Sequence, residues 1–170
     1  MRLLDVGLEF RKGLIMSVIG MRASAQEIRY AVLKYDSATG NVIFVNKDTE
    51  NRIKYPATIN SIEDKLYWAK SEIDRIIRIN PDVDKMYIKM NEYGTENAAR
   101  RETTYIDSIF LLSAKEHNIP VIRKLNSQIS SNASKAKEYA EYRVGKTEKY
   151  WNNTIADAIL VAYWGLKYDV

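Results

Sequence analysis

The stretch SVIGMRASAQEIRYAVL, Ser17 to Leu33, decides how the rest of this chain is read. Its ends are rich in β-branched and aromatic residues and flank a run of small residues, so it reads as two strands joined by a short turn. Working outward, MSVIGM (16–21), EIRYAVLKYD (27–36) and GNVIFVNK (40–47) are three strand-like segments. DSATGN (36–41) is a tight-turn sequence between the second and third, which predicts an antiparallel hairpin. Three consecutive antiparallel strands therefore open the domain.

After them the pattern changes. DTENRIKYPAT (48–58) reads as a loop. In INSIEDKLYWAKSEIDRIIRIN (59–80), Ile62, Leu66, Ala69, Ile73, Ile76 and Ile77 recur at helical spacing, Ser61 is placed to cap the start, and Pro81 lies just beyond the end. DKMYIKM (84–90) is a short strand entered through the NPDVD turn. ENAARRETTYIDSIFLLSAKEHN (96–118) is helical, with Tyr105, Ile109, Leu112 and Lys115 on one side and Ile106, Phe110 and Ser113 beside them. IPVIRKL (119–125) reads as a strand, NASKAKEYAEYRV (132–144) as a helix and NTIADAILVAYWGL (153–166) as a closing helix. The order β-β-β-α-β-α-β-α-α predicts an α/β fold with a mixed five-stranded sheet flanked by helices. There is no internal repeat and no low-complexity tract.

The chain has 170 residues, which suits one domain spanning 17–170 and preceded by an extension, 1–16. That extension, MRLLDVGLEFRKGLIM, is interrupted by Asp5, Glu9, Arg11 and Lys12, so it does not read as a secretory signal. Its Leu3, Leu4, Val6, Leu8 and Phe10 are expected to pack on the body. No apolar run approaches a membrane span, and the absence of cysteine excludes disulfides and thiolate metal sites, which fits a cytoplasmic protein. The formal charge is +4, from 26 basic and 22 acidic residues. This permits a nucleic-acid partner without demanding one. Gly-rich phosphate loops, Ser/His/Asp arrangements and HExxH patterns are all missing, so covalent hydrolases and nucleotide hydrolases are poorly supported.

The order of elements is that of the ribonuclease H-like fold, and four stretches resemble the RuvC family of Holliday-junction resolvases. IGMRASAQEIRYAVL lies without a gap on the family's opening pattern, in which a strand ending in Gly, apolar, Asp is followed by a small-residue turn and a Tyr-containing strand. MYIKM resembles the second motif, an apolar strand ending in Glu. NASKAKEYAEY resembles the family's Ala-Ser/Asp-Lys helix start, and NTIADAILVAYWGL its final helix, which begins Asp-x-x-Asp-Ala. The resemblance covers roughly Ser17 to Leu166. It implies a site in which four carboxylates from three elements hold two divalent ions for phosphodiester hydrolysis. At the matching positions this chain carries Arg22, Lys89, Thr154 and Asp157. Of the three substitutions, two reverse charge and one removes it, and only Asp157 keeps a carboxylate. Magnesium prefers oxygen ligands, so the resemblance, with these residues, implies no metal, no cofactor and no two-metal hydrolysis.

Asp157 is the lone charged residue between Asn152 and Leu166, in the most apolar helix of the chain. A buried carboxylate needs a cation, and Arg22 and Lys89 are placed to form a salt-bridge cluster with it where the metals would sit. The alternative is a solvent-facing residue that gains from the helix N-terminus. Glu27 and Glu92 are the acidic neighbours from which a relocated metal site would have to be built. Glu92, three residues past Lys89, is expected on the opposite face of the sheet. His117 reads as a helix-end cap. SKAKEYAEYRVGKTEKYW interleaves Lys135, Lys137, Arg143 and Lys146 with aromatic residues and can follow a phosphate backbone, although Glu138, Glu141 and Glu148 dilute it. Arg100 and Arg101 are a second set of phosphate contacts. Three readings follow. The first is a pseudo-nuclease that binds structured or branched DNA, or RNA, through Arg22, Lys89 and these basic residues. The second is a protein-interaction or structural subunit, such as a homodimer. The third is a nuclease with relocated ligands, which would require Mg²⁺.

Overall fold

The computed structural model describes residues 16–169, so the packing expected of the N-terminal extension lies outside them. Among the described residues the elements are β1 (Met16–Ala23), β2 (Glu27–Asp36), β3 (Asn41–Phe44), β4 (Arg52–Lys54), α1 (Ile62–Ile79), β5 (Lys85–Lys89), α2 (Ala98–Glu116), β6 (Val121–Lys124), α3 (Ala136–Val144) and α4 (Asn153–Tyr168). A 3-10 turn, Asn126–Ile129, leads toward α3. The strands form one mixed sheet in the order β3-β2-β1-β5-β6. β1 pairs antiparallel with β2 and parallel with β5, and β6 continues the parallel half. The predicted α/β architecture is present, with one correction.

The sheet has six strands rather than five. Arg52–Lys54, read from the sequence as loop, pairs antiparallel with Glu27–Arg29, while β3 pairs with the other end of the same long strand. A three-residue strand with one buried residue, Ile53, carries no periodicity to detect. Its pairing is organised instead by two buried asparagines in the connection from β3. Asn46 Oδ1 accepts from the Val32 N–H at 2.8 Å, and Asn51 Nδ2 donates to the Asn46 carbonyl at 3.2 Å. These bonds satisfy backbone groups in the gap that β3 and β4 leave along β2.

Alternation along the strands sorts side chains onto two faces. Ile19, Met21, Ile28, Tyr30, Val32, Met86 and Ile88 form one core with Ala69, Ile73 and Ile76 of α1 and with Ile106 and Phe110 of α2. Val18, Ala31, Leu33 and Tyr87 form the other with α3 and α4. The α1 stripe read from the sequence is the buried one, and Ser61 Oγ caps the helix by accepting from the Asp64 N–H at 3.2 Å. On α2 the inward side is Ile106, Phe110 and Ser113, while Tyr105 and Leu112 face outward at 42% and 49% exposure.

α4 sits unusually close to the sheet. A Cβ on Gly20 would stand 1.9 Å from the Ala158 carbonyl oxygen and 2.9 Å from Ala162 Cβ. One on Gly165 would lie 2.3 Å from the Tyr87 ring. Glycine is required at position 20 because backbone meets backbone there, and neither can yield by a rotamer change. Overpacking of this kind costs about 1–3 kcal/mol or more. We therefore expect Gly20→Ala to lower the melting temperature by roughly 3–10 °C. An unchanged melting curve would show that α4 does not hold this position in solution.

Candidate functional site

The two strand ends that matter are placed by parity. Gly20 faces α4, so Arg22, two residues on, faces it too; Tyr87 packs in the α4 core, so Lys89 emerges on the same side. β1 and β5 are parallel neighbours, with Gly20 opposite Tyr87, and both ends therefore meet the first turns of α4. Arg22, Lys89, Thr154 and Asp157, the four positions singled out by the resemblance, line one cavity of about 360 Å³.

Arg22 Nε donates to Asp157 Oδ2 at 3.2 Å, with side chains 17% and 12% exposed. Its Nη1 donates to Asn91 Oδ1 at 3.0 Å and to the Lys89 carbonyl at 3.3 Å. Lys89, 1% exposed, pairs with Glu92 Oε1 at 3.0 Å and donates to the Met90 carbonyl at 2.6 Å. The expected three-residue cluster is divided: Arg22 pairs with Asp157 as expected, but Lys89 pairs with Glu92 instead of Asp157. Glu92 does not stay on the opposite face as expected, because β5 ends at Lys89 and the chain turns back. It also accepts from the Asn126 N–H at 2.7 Å, and Arg100 donates to its carbonyl.

Burial pushes the Asp157 carboxyl above its ordinary value, and the charges of Arg22 and Lys89 offset only part of that rise. For Glu92, burial also acts upward, but the Asn126 N–H and then Lys89 outweigh it and hold the carboxyl below the ordinary range. Each acid is thus balanced by a cation across the cavity floor.

A divalent ion needs several carboxylate oxygens free to turn toward it. Here Asp157 is bonded to a guanidinium, an ammonium group stands at the β5 position, and Thr154 offers a hydroxyl. These residues do not fit a two-metal centre. Glu27 does not rebuild one, since it is buried at the start of β2, bonded to Arg52 and Asn152 and 3.8 Å from Arg29. Among the described residues no group of three or more His, Asp or Glu side chains is arranged to hold a metal ion.

The remaining basic residues are distributed unevenly. Arg100 lines the cavity. Arg101 points to Glu96 at 3.0 Å, both well exposed. Ala133, whose carbonyl accepts from Asn153 Nδ2, lines the cavity and brings the turn bearing Lys135 beside it; Lys135 itself pairs with Glu138 at 3.3 Å. Lys137, exposed, follows on α3. Arg143 and Lys146 lie at the far end of α3, Arg143 against the Tyr163 ring and Lys146 3.8 Å from Glu141. His117 is the C-cap of α2, its backbone N–H bonding the Ser113 and Lys115 carbonyls, while its ring meets Asp74 of α1 at 3.1 Å.

Three residues escaped the sequence reading. Asn91 and Asn126 matter through loop geometry, which leaves no sequence signal. Asp107 was detectable: it shares the inward face of α2 with Thr103, Ile106 and Phe110. It is 9% exposed, and burial pushes its carboxyl up to about 7, against the partial offset of Arg22, Lys89 and Arg123.

No family model matches the sequence, and no curated protein matches it either. Solved structures do. The architecture is the ribonuclease H-like fold of the RuvC type. RuvC of Thermus thermophilus superposes with a TM-score of 0.73 at 12% identity, covering 91% of this chain and 95% of that one. The T. thermophilus RuvC in complex with Holliday junction substrate gives 0.72 at 14% identity over the same shares. The yeast mitochondrial Holliday junction resolvase Ydc2 gives 0.57 at 13% identity, covering 96% of this chain and 84% of that one.

Two outcomes are expected. Asp157→Ala leaves Arg22 uncompensated and should destabilise the fold by about 2–4 kcal/mol, less in combination with Arg22→Met, as read by denaturant unfolding. An Asp157→Ala protein as stable as the parent would remove the bridge from the account. For Asp107, a carboxyl raised from 3.8 to about 7 favours the folded state when protonated. Stability should therefore decline as pH rises from about 4 to about 7. Asp107→Asn should flatten that decline and gain about 1–3 kcal/mol at pH 8.

Proposed function

We propose that this chain is a RuvC-like pseudo-nuclease that binds structured or branched nucleic acid without cleaving it. The observation that carries the reading is the Arg22–Asp157 bridge at 3.2 Å, which places a guanidinium against the carboxylate position on α4. A carboxylate held in this way is not free to ligate Mg²⁺. The similarity to a RuvC structure solved with a Holliday junction supports nucleic acid as the partner.

In this reading the two bridges replace the metal cage as scaffolding for the end of the sheet. Lys89 is sealed beneath Glu92, so its part is to hold the loop after β5. Phosphate contact falls to Arg22, Arg100 and, beyond the cavity, Lys135 and Lys137, with Arg101, Arg143 and Lys146 as outer contacts. Each cation that meets phosphate releases counterions, which makes affinity fall steeply with salt.

A second reading has one observation in its favour. The outward side of α2 leaves Tyr105 and Leu112 half exposed, a face that a protein partner or a second copy of the chain would cover.

The test is to incubate the protein with labelled four-way junction, duplex and single-stranded DNA, with Mg²⁺ or Mn²⁺, and to score binding and cleavage together. We expect salt-sensitive binding without cleavage, weakened about tenfold or more by Arg100→Glu. Metal-dependent cleavage abolished by an acidic-residue substitution would overturn the pseudo-nuclease reading. Absence of both activities would move the proposal to the α2 face.

A further inference from the structure

Beside the cavity just described lies a second one of about 360 Å³ on the other face of the sheet, sharing with it Asn91, Glu92 and Arg100. Asp107 lines this second cavity. Its Oδ1 is buried without a hydrogen-bond partner, and no cation of the described residues lies within ion-pair distance of it. A buried carboxylate oxygen without a donor is costly, and native proteins seldom leave one without a reason.

The other charged groups of this cavity are accounted for in a telling way. Glu92 is held by Lys89 and the Asn126 N–H, and Glu96 by Arg101. Arg100 and Arg123, which also line it, have no carboxylate partner. The cavity therefore presents one unpartnered acid and two guanidinium groups without a carboxylate, Arg100 being bonded only to the Glu92 carbonyl, between the apolar side chains of Met90 and Leu111. A ligand that fits must offer paired N–H donors to Asp107, apolar faces to the walls and negative charge near the arginines. A nucleotide has all three, and among the common bases guanine alone carries two adjacent N–H donors, N1–H and the 2-amino group, matching a carboxylate.

We infer that this cavity is a nucleobase pocket in which Asp107 receives the N–H pair of a guanine while Arg100 and Arg123 face its phosphates. The inference rests on the nucleic-acid reading above, and a base unstacked from a bound strand and a free guanine nucleotide offer it the same chemistry. The geometry also makes binding pH-dependent, because only the ionised carboxylate accepts both N–H groups. The groups facing Asp107 are Arg22 of β1, Lys89 of β5, Arg123 of β6 and Tyr55 after β4. On α1, the nearby Lys65 is already bonded to Glu102 and lies over the Tyr55 ring. With Asp107 at about 7, lowering pH from 8 to 6 should weaken guanine binding about tenfold.

The experiment compares oligo-dT probes carrying one central guanine or one hypoxanthine, which lacks the 2-amino group, by fluorescence anisotropy at pH 6 and pH 8. Guanosine and inosine monophosphates are titrated in parallel. We expect a preference for guanine of about fivefold or more at pH 8, lost at pH 6 and absent in Asp107→Asn. Equal affinity for the guanine and hypoxanthine probes in the parent protein overturns the inference, as does a preference that survives in Asp107→Asn. The parent comparison and its pH series do not depend on the variant folding. Junction binding without base preference sinks the pocket and leaves the proposed function standing. Guanosine monophosphate binding without any DNA binding does the reverse. No binding of either nucleotide form overturns the pocket.

Discussion

The close approach of α4 to β1 is the constraint on which the rest of the structure depends. At Gly20 the helix backbone comes so near the strand that no side chain fits between them. This fixes the depth of α4 and brings Asp157, one residue before the contact at Ala158, beside the end of β1. Arg22, two residues past Gly20, then has little choice of partner. The bridge between them is a consequence of main-chain packing, and the electrostatics of the site follow from it.

Around that bridge, charge is balanced locally. Arg22 is matched by Asp157, both mostly withdrawn from water, and the buried Lys89 by the more exposed Glu92, so that losing either acid leaves a buried cation uncompensated. A cage that concentrates negative charge would need metal ions to hold it together; this arrangement is neutralised by its own side chains. The same cations reach Asp107 from across the sheet but are too far to bond it. The two cavities at this end of the sheet thus differ in character, one closed by ion pairs and one holding an acid without a partner.

The degree to which each element was legible varied with the physics that forms it. The amphipathic stripe of α1, the hairpin turn at Asp36 to Asn41 and the apolar run of α4 were readable because local pattern alone commits those residues. β4 was not, since its pairing depends on Asn46 bonding the backbone of Val32 and Tyr30 on another strand, with Asn51 holding the connecting loop through the Asn46 and Lys47 carbonyls. On α2 two adjoining stripes were both plausible from spacing, and the sheet chose Ile106 and Phe110 over Tyr105 and Leu112. Glu92 was misplaced because alternation holds only while a strand continues.

By itself, the sequence determined the fold class and the order of the helices and of the strands other than β4, because periodicity is a property of neighbouring positions, and its resemblance to the RuvC family singled out the four residues that meet at the end of the sheet. The tertiary structure decided the pairing: Arg22 with Asp157, Lys89 with Glu92 rather than with Asp157, and Asp107 with none. Those assignments depend on distances of a few ångströms between segments up to 135 positions apart. Only the packed sheet and helices fix such distances, and charge interactions in a partly buried site change sharply over that range.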